Sequence, residues 1–334
     1  MAISTVSFTN TPQAVDDYYT ATQTGLTENS TETIILAVMA NDLGGKAKTL
    51  YSLDDGIENE GSATSADLLM KDLVGVNNLS QYGAHIAIMA DGTVAYTMTD
   101  TSRTHFASLG AGEIGYDSFT YAIRLGNGTL SWATATVEIR GVNDAPTAAD
   151  GSASTDEDTP ILTGSLPAAS DIEGDTVTYT LGSTSPSNGT VVVYADGTFD
   201  YTPNANFNGE DSFSFVVDDG NGGSNEYNYS LTINAVNDAP TAADGSASTD
   251  EDTPILTGSL PAASDIEGDT VTYTLGSTSP SNGTVVVYAD GTFDYTPNAN
   301  FNGEDNFSFV VDDGNGGSNE YNYSLTINAV NDAP

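Results

Sequence analysis

The feature that most constrains this chain is a repeat: Val142-Asn143-Asp144-Ala145-Pro146 returns at Val236 to Pro240 and again at Val330 to Pro334, a period of 94 residues. Residues 147–240 and 241–334 differ only where Ser212 becomes Asn306. A chain written this way folds as like units in a row, so function is sought in the unit and in the junctions between units. The expected domains are 1–146, 147–240 and 241–334.

The pentapeptide has a physical meaning. Pro146 and Pro240 lack an N–H and end any strand ladder that reaches them. Asn143 and Asp144, with Asn237 and Asp238, place oxygen atoms at that stop. Such a segment is either a polar turn between domains or a linker that holds calcium. The second reading needs further carboxylates converging on the same place.

Charge bears on that choice. The six Lys and Arg residues all precede residue 147, whereas each 94-residue repeat carries 15 acidic residues and no basic one. The first unit is then −11 and each repeat −15, within a net charge of −41. No ion pair inside a repeat can relieve this, and such a surface repels nucleic acid and anionic membranes. Plain solubility or salt adaptation would scatter the acids evenly, and here they are grouped.

Other function classes are excluded more simply. No stretch approaches the ~18 apolar residues of a membrane span, and Met1 to Asn10 has neither the basic start nor the apolar core of a secretory signal. There is no cysteine, so disulfides and thiol chemistry are absent. The chain ends on the third pentapeptide, as a piece of a longer protein would.

The repeat reads as all-β. Val177, Tyr179 and Leu181 alternate with polar residues, as do Phe213, Phe215 and Val217, and Tyr227, Tyr229, Leu231 and Ile233. Ala195-Asp196-Gly197 separates two further runs as a hairpin turn. The expected strands are A at 151–155, B at 161–166, C at 177–181, D at 191–194, E at 198–202, F at 212–217 and G at 227–235. Seven short strands at this spacing predict a two-sheet Greek-key β-sandwich.

That topology sorts the acids between the two ends of a unit. Asp171, Glu173 and Asp175 fall in the B–C loop and Asp218 with Asp219 in the F–G loop, both at the leading end. Glu157 (A–B), Glu210 with Asp211 (E–F), and Asn237 with Asp238 (after G) fall at the trailing end. Trailing acids of one unit should therefore meet Asp265, Glu267, Asp269 and Asp312 of the next. So many oxygens around one gap suit Ca²⁺, which takes about six to eight oxygen ligands, better than Mg²⁺, which keeps its waters.

The Val-Asn-Asp-Ala-Pro linker, Asp156-Glu157-Asp158-Thr159-Pro160, Asp171-Ile172-Glu173-Gly174-Asp175 and Asp218-Asp219-Gly220-Asn221-Gly222-Gly223 together resemble the tandem cadherin-like or bacterial Ig-like repeats of large RTX adhesins. The resemblance covers both repeats. It implies inter-domain calcium held by Glu157, by Glu210 with Asp211, by Asn237 with Asp238, and by Asp265, Glu267 and Asp269. It also implies type I secretion and an extracellular, cell-surface location.

The first unit is a variant of the same theme. Ala90 to Tyr96 matches the D–E hairpin, Tyr116 to Tyr121 strand F and Trp132 to Ile139 strand G, and the unit resembles the VCBS repeats of the same adhesins. By that resemblance Glu28 is the A–B ligand, with Glu113, Asp117, Asn143 and Asp144 completing its trailing end. Its leading end departs from the pattern, because Lys46, Lys48 and Arg124 stand near Asn41-Asp42, so no calcium is expected there. An insertion at about 51–82 carries a helical pattern, Ser65 as N-cap followed by Asp67, Leu68, Leu69, Leu73 and Val74, and is read either as packing on a sheet or as a ligand site. His85 and His105 are read as solvent-facing or packed rather than as zinc ligands, and Trp132 as core or edge packing.

Alternative calcium motifs fit less well. Asp171, Glu173 and Asp175 imitate the start of an EF-hand, but Thr176 stands where glycine is required and Gly182 where the closing glutamate belongs. The Gly-Gly-rich segment is solitary, unlike a β-roll. No nucleophile elbow, phosphate loop or His-Glu-x-x-His is present, so no enzyme is expected. The expected function is a calcium-rigidified extender of a secreted bacterial adhesin, monomeric, with its own neighbouring repeats as partners. The alternative is that the first unit is a glycan- or peptide-binding module and the repeats are its stalk.

Overall fold

The computed structural model describes residues 13–54, 71–159, 161–253 and 256–331. In the first unit the strands are β1 (Asp17–Tyr19), β2 (Thr33–Leu36), β3 (Thr49–Asp54), β4 (Asn78–Leu79), β5 (His85–Ile88), β6 (Val94–Thr97), β7 (Ile114–Arg124) and β8 (Leu130–Arg140). They form two sheets, ordered β1-β8-β7-β3 and β2-β6-β5-β4. Leu36, Val94, Tyr96, Phe119, Tyr121, Val137 and Ile139 lie fully buried between them.

The second unit has β9 (Gly151–Asp156), β10 (Leu162–Ser165), β11 (Thr178–Leu181), β12 (Gly189–Val193), β13 (Thr198–Pro203), β14 (Gly209–Asp218) and β15 (Ser224–Asn234). The third repeats these 94 residues on as β16 (Gly245–Asp250), β17 (Leu256–Ser259), β18 (Thr272–Leu275), β19 (Gly283–Val287), β20 (Thr292–Pro297), β21 (Gly303–Asp312) and β22 (Ser318–Asn328). Each repeat has a three-stranded sheet, β10-β13-β12 or β17-β20-β19, and a four-stranded one, β11-β14-β15-β9 or β18-β21-β22-β16.

The period-two pattern explains the layers. In β15, Tyr229, Leu231 and Ile233 face inward while their neighbours are exposed. They meet Phe199, Tyr201, Phe213, Phe215 and Val217 in one core, where the Tyr229 ring lies 4.9 Å from Phe199 and 5.1 Å from Phe213. Close aromatic pairs of this kind add about 0.5–1.5 kcal/mol each beyond area burial. All seven strands expected in each repeat are present, and the array is nearly all-β. The first strand of each unit pairs in parallel with the last, as Tyr229↔Gly151 and Asn234↔Asp156 show, which ties the entry of a unit to its exit.

Two features of the first unit differ from expectation. Helix α2 (Asp100–Phe106) follows β6, capped by Thr99 and Ser102 in a reciprocal box; a shorter turn of helix, α1, spans Ala21–Thr24. The helix expected near Ser65 lies outside the described residues, and Leu73 and Val74 at its described end are exposed in a turn. Trp132 is 55% exposed, because the alternation of β8 points Ala133 and Ala135 inward and Trp132 outward. Among the described residues no helix is long and apolar enough to cross a membrane.

Candidate metal centres at the unit junctions

Glu28 follows Thr27, whose parallel bridge to Arg140 carries the chain alongside the end of β8, and its N–H donates to Arg140 O at 3.1 Å. There the side chain is fully buried, with Oε1 accepting from Val142 N at 2.6 Å. The linker begins at Val142, so the A–B glutamate is fastened to it directly. On the far side, Asp171 Oδ1 accepts from Glu173 N at 3.0 Å and Asp175 N at 3.2 Å. Gly174 takes φ 84° to close that turn. Glu173 Oε1 accepts from Asp144 N at 3.2 Å, reaching back to the same linker.

The result is a convergence across the junction. Glu28, Asp144 and Glu173 each bring a carboxylate oxygen within 4.8 Å of the others. Glu28 Oε2, Glu173 Oε2 and Asp171 Oδ2 are buried with no partner. Burial first, and then Asp144 and Glu173, push the Glu28 carboxyl above its ordinary range despite the Val142 bond. Burial likewise raises Glu173. Three desolvated carboxylates with free lone pairs repel one another unless a cation or proton sits among them.

The next junction repeats the plan. Glu157 is almost fully buried and its Oε1 accepts from Val236 N at 2.8 Å. Glu267 Oε2 accepts from Asp238 N at 3.2 Å. Asp238 Oδ2 and Asp265 Oδ2 are buried without partners. Burial, then Asp158, Glu157 and Asp265, raise the Asp238 carboxyl. Asp158, beside Glu157, holds φ 61°, a left-handed turn that aspartate adopts more readily than most residues.

Each linker asparagine finds an acid in the F–G loop. Asn143 Nδ2 donates to Asp219 Oδ2 and Asn237 Nδ2 to Asp313 Oδ2, both at 2.7 Å. Asp219 Oδ1 accepts from Asn221 N at 2.6 Å and Gly223 N at 3.0 Å. These donors outweigh burial and hold its carboxyl below the ordinary range. A Cβ on Gly223 would stand 2.2 Å from Asp219 Oδ2 and 2.8 Å from Ala145 Cα, so only glycine lets the linker pass this close. Asp175 Oδ2 accepts from Asn221 Nδ2, and Asp269 Oδ2 from Asn315 Nδ2, each at 2.7 Å.

Several expected ligands have their bonds elsewhere. Asp218 and Asp312 cap their own loops through Gly220 N and Gly314 N. The acid that reaches the linker is the next one, Asp219 or Asp313, a choice set by strand parity that sequence reading passed over. Glu210 pairs across the strand with Thr232, and Glu113 Oε2 accepts from Gly110 N. Asp211 accepts from Ser187 N, Asn188 N, Ser212 N and the Tyr201 hydroxyl at 2.8–3.0 Å. Burial opposes and these donors prevail, holding its carboxyl low. Asp117 does the same work in the first unit, bonded to Ser80, Tyr82 N and Tyr96.

His105 stacks on Tyr82 with ring centroids 3.7 Å apart, beside exposed His85. Both histidines border a groove of about 470 Å³ that also includes Leu79, Gln81 and Thr101.

The family model of the bacterial cadherin-like domain matches residues 143–235 and 237–329. No curated protein matches the chain. The structure is similar to mouse cadherin-23 EC22-24, with TM-score 0.52 and 16% identity over 95% of this chain and 96% of that one. It is also similar to protocadherin gammaB7 EC3-6, with TM-score 0.54 and 14% identity over 96% and 74%. An endo-fucoidan hydrolase from glycoside hydrolase family 107 overlaps at TM-score 0.27 and 18% identity, and this chain spans 38% of its length.

Proposed function

The chain belongs to the bacterial cadherin-like domain family through both of its repeats, and on that premise we propose that it is an extender segment of a bacterial surface adhesin whose units are locked end to end by calcium. The observation that carries this reading is the convergence of Glu28, Asp144 and Glu173, one acid from each of two units and one from the linker between them. We take the units as 1–146, 147–240 and 241–334. The ligand set we assign to the first junction is Glu28, Asn143, Asp144, Asp171, Glu173, Asp175 and Asp219; to the second, Glu157, Asn237, Asp238, Asp265, Glu267, Asp269 and Asp313.

The chemistry follows from the donor set. Every side-chain donor is an oxygen, carboxylates dominate, and the ion supplies the positive charge that repeats without Lys or Arg cannot. Removing it would leave like charges facing each other across the junction. Calcium affinity in extracellular modules lies at about 0.1–1 mM, so the segment is stiff in calcium-rich surroundings and slack in the cytoplasm. We infer export and display at the cell surface as part of an RTX-type adhesin on the same grounds. Asp117, Asp211, Glu113, Glu210, Asp218 and Asp312 serve the fold of their own units in this reading.

Calorimetric titration of the calcium-stripped chain tests it. Uptake of at least one ion per junction is expected, and absence of heat up to several millimolar calcium overturns it. The groove beside Tyr82 and His105 favours a second reading, in which the first unit takes a glycan or peptide and the repeats are its stalk. A binding screen against the full chain, with and without Tyr82→Ala, separates the two.

A further inference from the structure

The leading end of the first unit holds a second kind of oxygen cluster. Tyr121, on β7, directs its hydroxyl at four acceptors: Val38 O at 2.7 Å, Asp17 Oδ2 at 2.7 Å, Val15 O at 3.0 Å and Asp42 Oδ1 at 3.2 Å. A phenol has one proton and can satisfy one of them. Val15 N serves Asp42 Oδ1 at 2.7 Å, but Asp42 Oδ2 is buried without a partner, in a side chain only 7% exposed.

Among the described residues, seven buried side-chain polar atoms lack any partner, and five of them are the junction carboxylates described above. The other two are Asp42 Oδ2 and the Tyr19 hydroxyl, whose proton affinity is raised by burial and then by Asp17 and Asp42. The same signature therefore marks this end of the unit. Burial, working against the Tyr121 bond, and then the Asp42 and Asp16 charges push Asp17 up to about 6.

Two of the three basic residues that argued against a cation here have partners of their own. Lys48 Nζ donates to Met39 O at 2.6 Å and to the main-chain oxygen of Asp42, and Arg124 lies over the Tyr51 ring at 5.9 Å. Among the described residues the one ion pair joins Arg103 to Asp100, so the Lys48 charge acts on Asp17 and Asp42 only through space, without a direct contact to either carboxylate.

We propose that Asp17, Asp42, the carbonyls of Val15 and Val38, and the Tyr121 hydroxyl bind one calcium ion at the leading end of the first unit, a site separate from both junctions. Five protein oxygens, two from carboxylates, leave room for water to complete about six to eight ligands. Its role is to clamp the entering segment at Val15 and β1 to the loop after β2. The repeats cannot build it. Asp17 pairs with Ala135 and Tyr121 with Ala133; the same register in the second unit, Gly151 with Tyr229 and Phe215 with Tyr227, puts glycine and phenylalanine at those places.

Equilibrium dialysis of the full, calcium-stripped chain against calcium counts the ions. Asp17→Asn, at a half-buried position, is expected to bind one ion fewer than wild type at saturation; an unchanged count overturns the proposal. Anomalous scattering from wild-type crystals grown in calcium gives a reading that no folding defect can blur. A peak bounded by Val15, Asp17, Val38 and Asp42 is expected, and no peak there overturns the proposal whether or not the junctions carry ions.

Discussion

Replacing Glu28 with Gln changes one oxygen for one amide and almost no volume, which makes the sign of its effect informative. The amide oxygen can keep the 2.6 Å bond from Val142 N. The new NH₂ stands where Oε2 is now buried without a partner, facing Asp144 and Glu173. Without calcium the variant should be as stable as wild type or more so, since a desolvated charge among like charges is gone. With calcium one of three converging carboxylates is lost, and a weakening of at least 10- to 100-fold, typical even of outer-sphere changes, is expected. That is about 1.4–2.7 kcal/mol of calcium-linked stability at saturation, or roughly 4–12 °C of melting temperature for a unit this size. The assay is thermal melting of both proteins in millimolar calcium and in EDTA. A fall of similar size in both buffers would refute the reasoning, because it would mean that Glu28 only fills space.

Gly223→Ala should displace the linker, since the added Cβ meets Asp219 Oδ2 at 2.2 Å; proteolysis near residue 145 should quicken while the melting of each isolated core is unchanged, and unaltered cleavage would count against close linker docking. Glu157→Ala should lower calcium-dependent stability at the junction after residue 240 and leave a single repeat folded; equal loss in the isolated repeat would show that its role lies in the core. Asp211→Asn puts an NH₂ against the Asn188 N–H or the Tyr201 hydroxyl and should cost about 1–3 kcal/mol, read by urea unfolding of the repeat pair. The pH dependence follows from the same carboxyl: its folded pKa is depressed, so its contribution is complete above the ordinary Asp value of about 4 and is lost as pH falls through the lower folded one. Acid unfolding in EDTA should be less steep in the variant, and identical profiles would remove Asp211 from the account.

The strands of the repeats were legible because each hides one face, so Tyr229, Leu231 and Ile233 alternate with polar neighbours over a long run. Helix α2 was not, since a seven-residue stretch capped by Thr99 and Ser102 has no apolar period to betray it. At the candidate sites, the loops bearing Glu28, Glu157, Glu173 and Glu267 could be placed from topology. Their orientation could not, because backbone N–H groups of Val142, Val236, Asp144 and Asp238 aim them. Asp219 was hidden behind Asp218 for a different reason: a one-residue change of parity decides which of two adjacent acids turns to the linker. The cluster at Asp42 was least visible, since three of its five oxygens are two main-chain carbonyls and a phenol, which carry no charge in a sequence.

The central claim is that calcium makes a rigid rod of units that otherwise repel. Small-angle scattering of the full chain, in millimolar calcium and again in EDTA, tests it most directly. The account predicts a longer, stiffer particle with calcium and a broadened distance distribution without it, reversed on adding calcium back. Superimposable profiles in the two buffers would contradict it.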